Sequence, residues 1–502
     1  MIRLLLQVEP VRAPTEPLVV AVVLVYFVAV MGVGAWATRR TRDSVDFFLA
    51  GRGIGLIALS LSAISATLSG FTFIGGPGLV YAVGLGALFI ILPAGITNAV
   101  GAWVLAKRLR LLAEVRDVYT LPDAIGARYR SPAAQGLAGL SILVAVVGYM
   151  ATNVLAMGYV LDAVLGVGLG WGIWIGAGVT LLYSVGGGIR AGIYTDVLQG
   201  TLMAAASVLV FLFVLRVGGG LGGLAAPILE VDPGFLRPWG HLTPLAALSF
   251  YFVFSMGVLG QPHVLHKFYM LRDPLEFRWY PVVSALALTL TVLLYFGVGL
   301  TVRSLVADGS WMPLASPDEA TPRFLLEHTP LLLAALVFAG VVAAIMSTVN
   351  SFMNVGSAAL IHDLPRAFGT RVRDELLWGR IGTVAITVLA TVVAQLSGAL
   401  VAFLGIFGWG LFAATFVPAL AIGMNWKGAT REGALASLAV GLGGTLLFET
   451  LAFAGAFSLP TGVTVSGLIL VSSCLAFLIV SRLTRRSGPG DLDPDIRVIL
   501  DA

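Results

Sequence analysis

Ser60-Leu-Ser-Ala-Ile-Ser-Ala-Thr-Leu-Ser-Gly-Phe-Thr-Phe-Ile-Gly-Gly-Pro-Gly-Leu-Val-Tyr81 is long and apolar enough to cross a bilayer, yet its middle opposes helix. Ser69-Gly70 is followed by Gly75-Gly76-Pro77-Gly78. Glycines weaken a helix, and Pro77 removes a donor and clashes with the carbonyl four residues back. Unwound backbone at membrane depth is tolerated only inside protein or beside a water-filled cavity. Carbonyls freed in such a break can coordinate a cation, and half-helix N-termini can face an anionic solute. The rest of the chain reads as scaffold for this break.

Composition agrees. Of 502 residues, 58% are hydrophobic and only 11% charged, with a mean hydropathy of +0.97. Soluble domains carry about 25% charged residues, so this is a polytopic membrane protein. The single cysteine, Cys474, excludes a disulfide framework or a Cys-based metal site. No HExxH and no Walker A sequence occurs, which argues against a zinc protease and against ATP drive. The net charge of +4 reflects membrane topology rather than nucleic-acid binding. The first residues do not make a convincing cleavable signal, because the apolar stretch is short and Pro-rich sequence follows.

Apolar runs of about 20 residues predict roughly thirteen transmembrane helices. They lie near 18–37, 55–83, 85–106, 134–164, 171–186, 192–216, 244–266, 280–305, 331–361, 379–398, 400–423, 431–454 and 462–481. Placing the first loop in the cytoplasm and alternating puts roughly 24 of the 30 basic residues inside, Lys267, Arg272 and Arg278 among them. The N-terminus is then outside and the C-terminus inside. The outside loop near 306–330 contains Thr321-Pro-Arg-Phe-Leu-Leu-Glu327, which predicts a short surface helix capped by Thr321 with Pro322 at its first position. The segment 482–502 reads as a polar cytoplasmic tail.

A second interrupted span follows the first by five: Ser249-Phe-Tyr-Phe-Val-Phe-Ser-Met-Gly-Val-Leu-Gly-Gln-Pro-His263. Gly257, Gly260 and Pro262 break it. Two such breaks at corresponding places are the best sequence pointer to a transporter binding site, and an odd offset inverts the second half relative to the first. The expected layout is an extra helix at 18–37, repeats at 55–216 and 244–423, and two C-terminal helices within 431–481. The substrate region then falls at Thr67, Ser69, Gly70, Phe71, Met256, Gly257, Gly260 and Gln261.

No nucleophile–base pair or carboxylate dyad stands at membrane depth, so an enzyme is not expected. The informative polar residues are hydroxyls. Ser347, Thr348, Asn350, Ser351 and Asn354 cluster in two turns of the ninth span, where neutral oxygens suit a hard monovalent cation. Hydroxyls in membrane helices also bond back to the i−4 carbonyl without any ligand. Asp196 is the notable ionisable residue, a functional candidate by its depth, or else an interfacial carboxylate paired with Arg190. His263 and His266 suggest either a proton relay or packing. Trp409 and the aromatics from Phe403 to Phe416 read as packing.

These motifs resemble the sodium:solute symporter family, nearest to its bacterial sodium/proline-type members. The resemblance runs from about Asp46 to Gly433 through Asp46-Phe-Phe-Leu-Ala-Gly-Arg52, Ser69-Gly-Phe71, Gly76-Pro-Gly78, Tyr119-Thr-Leu-Pro-Asp123, Tyr194-Thr-Asp-Val-Leu-Gln199, Gly260-Gln-Pro-His263, Ala343-Ala-Ile-Met-Ser-Thr348 and Trp426-Lys-Gly-Ala-Thr-Arg-Glu-Gly-Ala434. It implies an all-α, LeuT-like five-plus-five inverted-repeat core. It also implies a sodium site built from the carbonyls of Ser65, Leu68 and Ala344 and the hydroxyls of Ser347 and Thr348. A second cation in some members uses the aspartate matched by Asp196 with a hydroxyl that falls here at Ala344, so one sodium per solute is expected. The acidic residue of the proline carriers' first broken helix is matched by Thr67, which leaves the solute open between an amino acid such as proline and a carboxylate.

The resulting expectation is a monomeric, multi-pass plasma-membrane symporter that uses sodium, a small solute and the lipid bilayer, with no cofactor and no nucleic acid. Proton coupling through Asp196 and a solute sensor acting with a separate signalling partner are the alternatives.

Overall fold

The computed structural model of the chain describes residues 16–39, 48–50, 53–398, 400–460, 462–485 and 493–501. Among them every regular element is helical, and one isolated backbone bridge joins Ile54 to Leu271. Eleven helical runs are long and apolar enough to span a membrane. The run Phe71–Val115 holds the end of one crossing, begun by the short helix Leu56–Thr67, and all of the next; Leu169–Val185 adds another. The expected crossings, about thirteen, are therefore all present as helix.

The first described helix, α1 (Pro17–Thr38), packs on the helices Leu169–Val217 and Leu331–Ala358. The first interrupted crossing is α2 (Leu56–Thr67), a π-helical turn Phe71–Gly75, and a second half Gly76–Val83. It turns back at Gly84, whose φ of +80° only glycine adopts freely; a Cβ there would also stand 2.4 Å from the Phe235 carbonyl oxygen. After the long helix Pro132–Leu165 comes α3 (Leu169–Val217), whose helical hydrogen bonding is continuous where two spans are expected. Its contacts nevertheless reverse direction. Tyr183 donates to the Met346 carbonyl, Gly192 lies against Asn350, Asp196 meets Ser347, and Leu202 faces Gly340. The chain runs one way along its neighbour and then back again, so the two crossings stand, joined between Tyr183 and Gly192.

The second interrupted crossing is α4 (Pro244–Gly257), a 3-10 turn Val258–Gly260, and a short half Pro262–Leu265 that continues as 3-10 helix to Met270. The long helix α5 (Tyr280–Ala307) follows. That neighbour of α3 is α6 (Leu331–Ala358), buried along almost its whole length. Local start signals set several entries. Ser131, Thr243, Asp374, Thr430 and Thr464 each accept an N–H of the first turn that follows them.

The basic loops gather on one face. Arg128 donates to the Gly423 and Trp426 carbonyls, Arg108 bonds Asn425, and Arg366 approaches Asp117 and Asp123. On this face the expected polar tail is instead partly helical. Pro494–Asp501 buries Ile496, Ile499 and Leu500, while Asp493 pairs with Arg116 at 2.6 Å and Arg130 at 3.0 Å. Every third or fourth tail residue is apolar, enough to dock one helical face. The opposite face carries Asp232 with Arg303 and His241.

Candidate functional site

Both interrupted helices break the same way. Leu68 leaves the helix at φ −80°, ψ 102°, and Gln261 at φ −80°, ψ 104°. At the first break the Gly70 N–H donates to Asn153 Oδ1 at 2.9 Å. A Cβ at Gly70 would stand 2.5 Å from the Ala156 Cβ, so the close approach needs glycine.

The carbonyls around this break face α6. Thr348 Oγ1 lies 3.4 Å from the Leu68 oxygen, 3.1 Å from the Ala344 oxygen and 3.1 Å from the Ala66 oxygen. A hydroxyl has one proton, so at most one of these carbonyls is satisfied by it while the others still aim at the same point. This separates Thr348 from ordinary back-bonding residues such as Thr383, Thr387 and Thr391, which each meet the i−4 carbonyl. The donor set of neutral oxygens fits a hard monovalent cation. Leu68, Ala344 and Thr348 thus come together at this point. Ser65 is buried with its hydroxyl unpartnered, and the carbonyl near Thr348 is that of Ala66. Ser347 turns its hydroxyl to Asp196. Asn354 bonds back to Asn350, so these amides do not join the break.

The side chain of Arg190, the expected partner of Asp196, lies outside the described residues; Asp196 is paired with Lys267. Its carboxylate accepts from Ser62 Oγ, from Ser347 Oγ and, at 2.9 Å, from the ammonium of Lys267. Lys267 also donates to the Ser62 carbonyl at 2.8 Å and to Ser62 Oγ at 2.7 Å. Its side chain is fully buried and that of Asp196 is 2% exposed. Lys267 is therefore not a loop charge, because the second broken helix carries it inward as 3-10 turns before the chain leaves the core.

Beside the breaks stands an aromatic wall. Phe71 stacks on Phe254, which stacks on Trp409 at 5.1 Å. Trp409 also presses against Gly257, where a Cβ would lie 2.2 Å from its Nε1, and the Phe412 backbone approaches Gly260. The Gln261 amide donates to the Gly257 carbonyl, while its Oε1 is buried without a partner, as is Trp409 Nε1. The Ser69 hydroxyl is buried without a partner. Thr67 bonds back to Ala63. Met256 does not belong here: it is 37% exposed on the outer side of α4, since helical neighbours of buried Ser255 and Gly257 project elsewhere. His263 packs between Tyr149 and Phe352, and His266 bonds the Tyr119 carbonyl.

A loop covers the first break from the face opposite the basic loops. The expected helix is Ala320–His328, preceded by a turn Pro317–Glu319. Thr321 does not cap it; its hydroxyl donates to the Phe73 carbonyl at 2.6 Å, and Ala320, Thr321, Pro322, Phe324 and Leu325 are buried. The segment is a packed cover rather than a surface helix, because Gly78 lets the Pro317 backbone come close. Asp318 accepts the Val401 N–H at 3.0 Å. Burial pushes its carboxyl from 3.8 up to about 6, against the Val401 bond. The packed cover holds a proton more readily than an open one. Its closure is thus favoured at low pH, and that advantage is lost as pH rises through about 6. With Ser69→Cys in a Cys474→Ala background, the labelling rate divided by that of the same protein carrying Asp318→Asn is expected to rise about tenfold between pH 5 and 7. A flat ratio refutes the role of Asp318.

On the basic face, Asp123, His362 and Asp363 bring ligand atoms within 4.8 Å. The sequence spacing does not reveal this cluster, because the π-helical turn Ala359–Asp363 that follows α6 and the distant connecting helix Leu121–Tyr129 supply it. His362 bonds Asp123 at 2.9 Å and Glu375 at 3.2 Å, and Thr120 donates to Asp363. Burial raises Asp123, but His362 and Arg366 overcome it and hold the carboxyl below its ordinary value.

Sequence reading misses Lys267, Ser62, Asn153, Trp409 and Thr321 at this site. No sequence signal marks Lys267: from His266 on the helix is 3-10, so the α-helical spacing of four from His263 does not assign it a face.

A sequence model of the sodium:solute symporter family matches residues 47–441. The chain is 29% identical to the osmoregulated proline transporter OpuE of Bacillus subtilis, over 92% of this chain and 94% of that one. It is 28% identical to the sodium/pantothenate symporter of Escherichia coli, over 92% and 96%. Among solved structures, a Na+-coupled sialic acid symporter superposes with TM-score 0.72 at 19% identity, over 93% and 98%. Mhp1, a nucleobase-cation-symport-1 family transporter, does so with TM-score 0.55 at 15% identity, over 91% and 98%. These two likenesses establish the inverted-repeat fold.

Proposed function

The chain belongs to the sodium:solute symporter family and works as a sodium-coupled symporter of a small organic solute; from that premise we propose that the solute is an amino acid such as proline or a small carboxylate, carried with one sodium ion. The observation that supports the ion's place is the convergence of Thr348 Oγ1 with the Leu68 and Ala344 carbonyls. The Ala66 carbonyl stands equally near and joins them; the Ser65 carbonyl and the Ser347 hydroxyl, the latter turned here to Asp196, are the further ligands that the family resemblance implies. Sodium there ties the broken helix to α6 and orders the break. The solute then meets Ser69, Gly70, Phe71, Gly257, Gly260 and Gln261 beside it, where the Gln261 oxygen lacks a partner. Coupling is reciprocal, so solute raises sodium affinity by the factor by which sodium raises solute affinity.

A thermal-shift screen of purified protein against amino acids, carboxylates, sugars and vitamins, with sodium or choline, tests this. The expected result is a stabilising small amino acid or carboxylate that acts only in sodium. A solute that stabilises equally in choline contradicts sodium coupling.

The basic face is cytoplasmic in this reading, by the positive-inside rule, with the N-terminus outside and the C-terminus inside a plasma membrane. Ala456, exposed between the last two spans, is then external. A cysteine there, in the Cys474→Ala background, should label in intact cells with an impermeant reagent; labelling only in inverted vesicles reverses the orientation.

A further inference from the structure

Lys267 carries three donors, and all three find oxygen: Ser62 O, Ser62 Oγ and Asp196 Oδ2, at 2.8, 2.7 and 2.9 Å. Asp196 in turn gathers the Ser62 and Ser347 hydroxyls. Without the ammonium, the site would be a carboxylate, two hydroxyls and a carbonyl, brought together from α2, α3 and α6 with no water-exposed path to neutrality. That is a cation site by its chemistry. Ser347, one of its members, is the chain neighbour of Thr348.

We infer that Lys267 is a tethered cation standing where a second coupling ion would otherwise bind, and that it holds the stoichiometry at one sodium; this rests on the sodium reading above. With Lys267 in place the pair is neutral, and a further cation beside it would be a buried, uncompensated charge. With Lys267 gone, Asp196 is a buried anion that needs a partner. A lysine can serve this way because its ammonium is a compact point charge. The flexible stem comes from the second broken helix, so the substitute ion moves with that helix and cannot be carried across. The absent oxygen at Ala344 is then not what excludes a second ion; the ammonium is.

Radiolabelled sodium binding to the purified full chain tests this, with melting temperature recorded in sodium and in choline. Wild type is expected to bind one sodium per chain. Lys267→Ala is expected to bind two, about twice the wild-type capacity, and to melt much lower in choline than in sodium. Lys267→Arg keeps a charge and should bind one. The double variant Lys267→Met with Asp196→Asn removes both charges and should bind one, with a melting temperature no more sodium-dependent than wild type. Lys267→Ala binding a single sodium overturns the inference, as does its collapse in both salts while the double variant folds, or a wild type that binds two. A wild type that binds no sodium overturns the parent reading, and this one with it.

Discussion

Asp196→Ala is expected to cost about 3–5 kcal/mol of stability, because it leaves the Lys267 ammonium buried without its anion. The pair is almost wholly shut from solvent, with side chains 0% and 2% exposed, so water cannot take over the lost contact. Asp196 also accepts from Ser62 and Ser347, so the loss loosens three elements at once. Native stabilities are on the order of 5–15 kcal/mol, and folded yield after membrane extraction should fall steeply. Sodium does not repair it, since the missing charge is negative. Asp196→Asn combined with Lys267→Met should recover most of the yield, because the pair as a unit contributes little net stability. Singles as stable as the parent, measured by melting in detergent, would show that the pair is not closed off in the membrane.

Thr348→Ala is expected to raise the sodium concentration for half-maximal uptake about tenfold to a hundredfold. The figure follows from the roughly 1–3 kcal/mol lost when a buried polar contact goes unmade. The change leaves the Leu68 and Ala344 carbonyls pointing at a point that no hydroxyl shares. Abundance should change little, since the removed group bonds only neutral carbonyls. Thr348→Ser keeps the oxygen and should be milder. The comparison separates a ligand from a back-bonding hydroxyl, because Thr387→Ala, at a residue whose hydroxyl donates to its own helix, should leave sodium dependence alone.

Hydropathy and punctuation carry much of this architecture. Gly70, Pro77, Gly260 and Pro262 mark both breaks in the sequence, and Leu68 and Gln261 adopt matching dihedrals there. Thr348 and Ser347 are visible as a hydroxyl pair in an apolar run, but adjacent helical residues project about 100° apart. Which one meets the break depends on how α6 is rotated against α2, and a sequence holds no record of that. Met256 fails for the same reason. Lys267 is hidden by its neighbours: Arg272 and Arg278 follow closely, and the 3-10 turns that keep it inside have no hydropathic signature. Thr321 looks like a helix cap, since Thr before Pro is a common start signal, yet a tertiary acceptor, the Phe73 carbonyl, takes its proton. Trp409 lies in a run so apolar that nothing distinguishes a wall of the solute site from packing.

Uptake of the solute found by the thermal-shift screen, into proteoliposomes holding purified protein, tests the central claim most directly. Wild type and Thr348→Ala are compared under an imposed inward sodium gradient, and again with choline and an inward proton gradient. The account predicts accumulation only with sodium, at a half-maximal concentration about tenfold to a hundredfold higher in Thr348→Ala. Accumulation driven by protons alone, or identical sodium dependence in the two proteins, would contradict it.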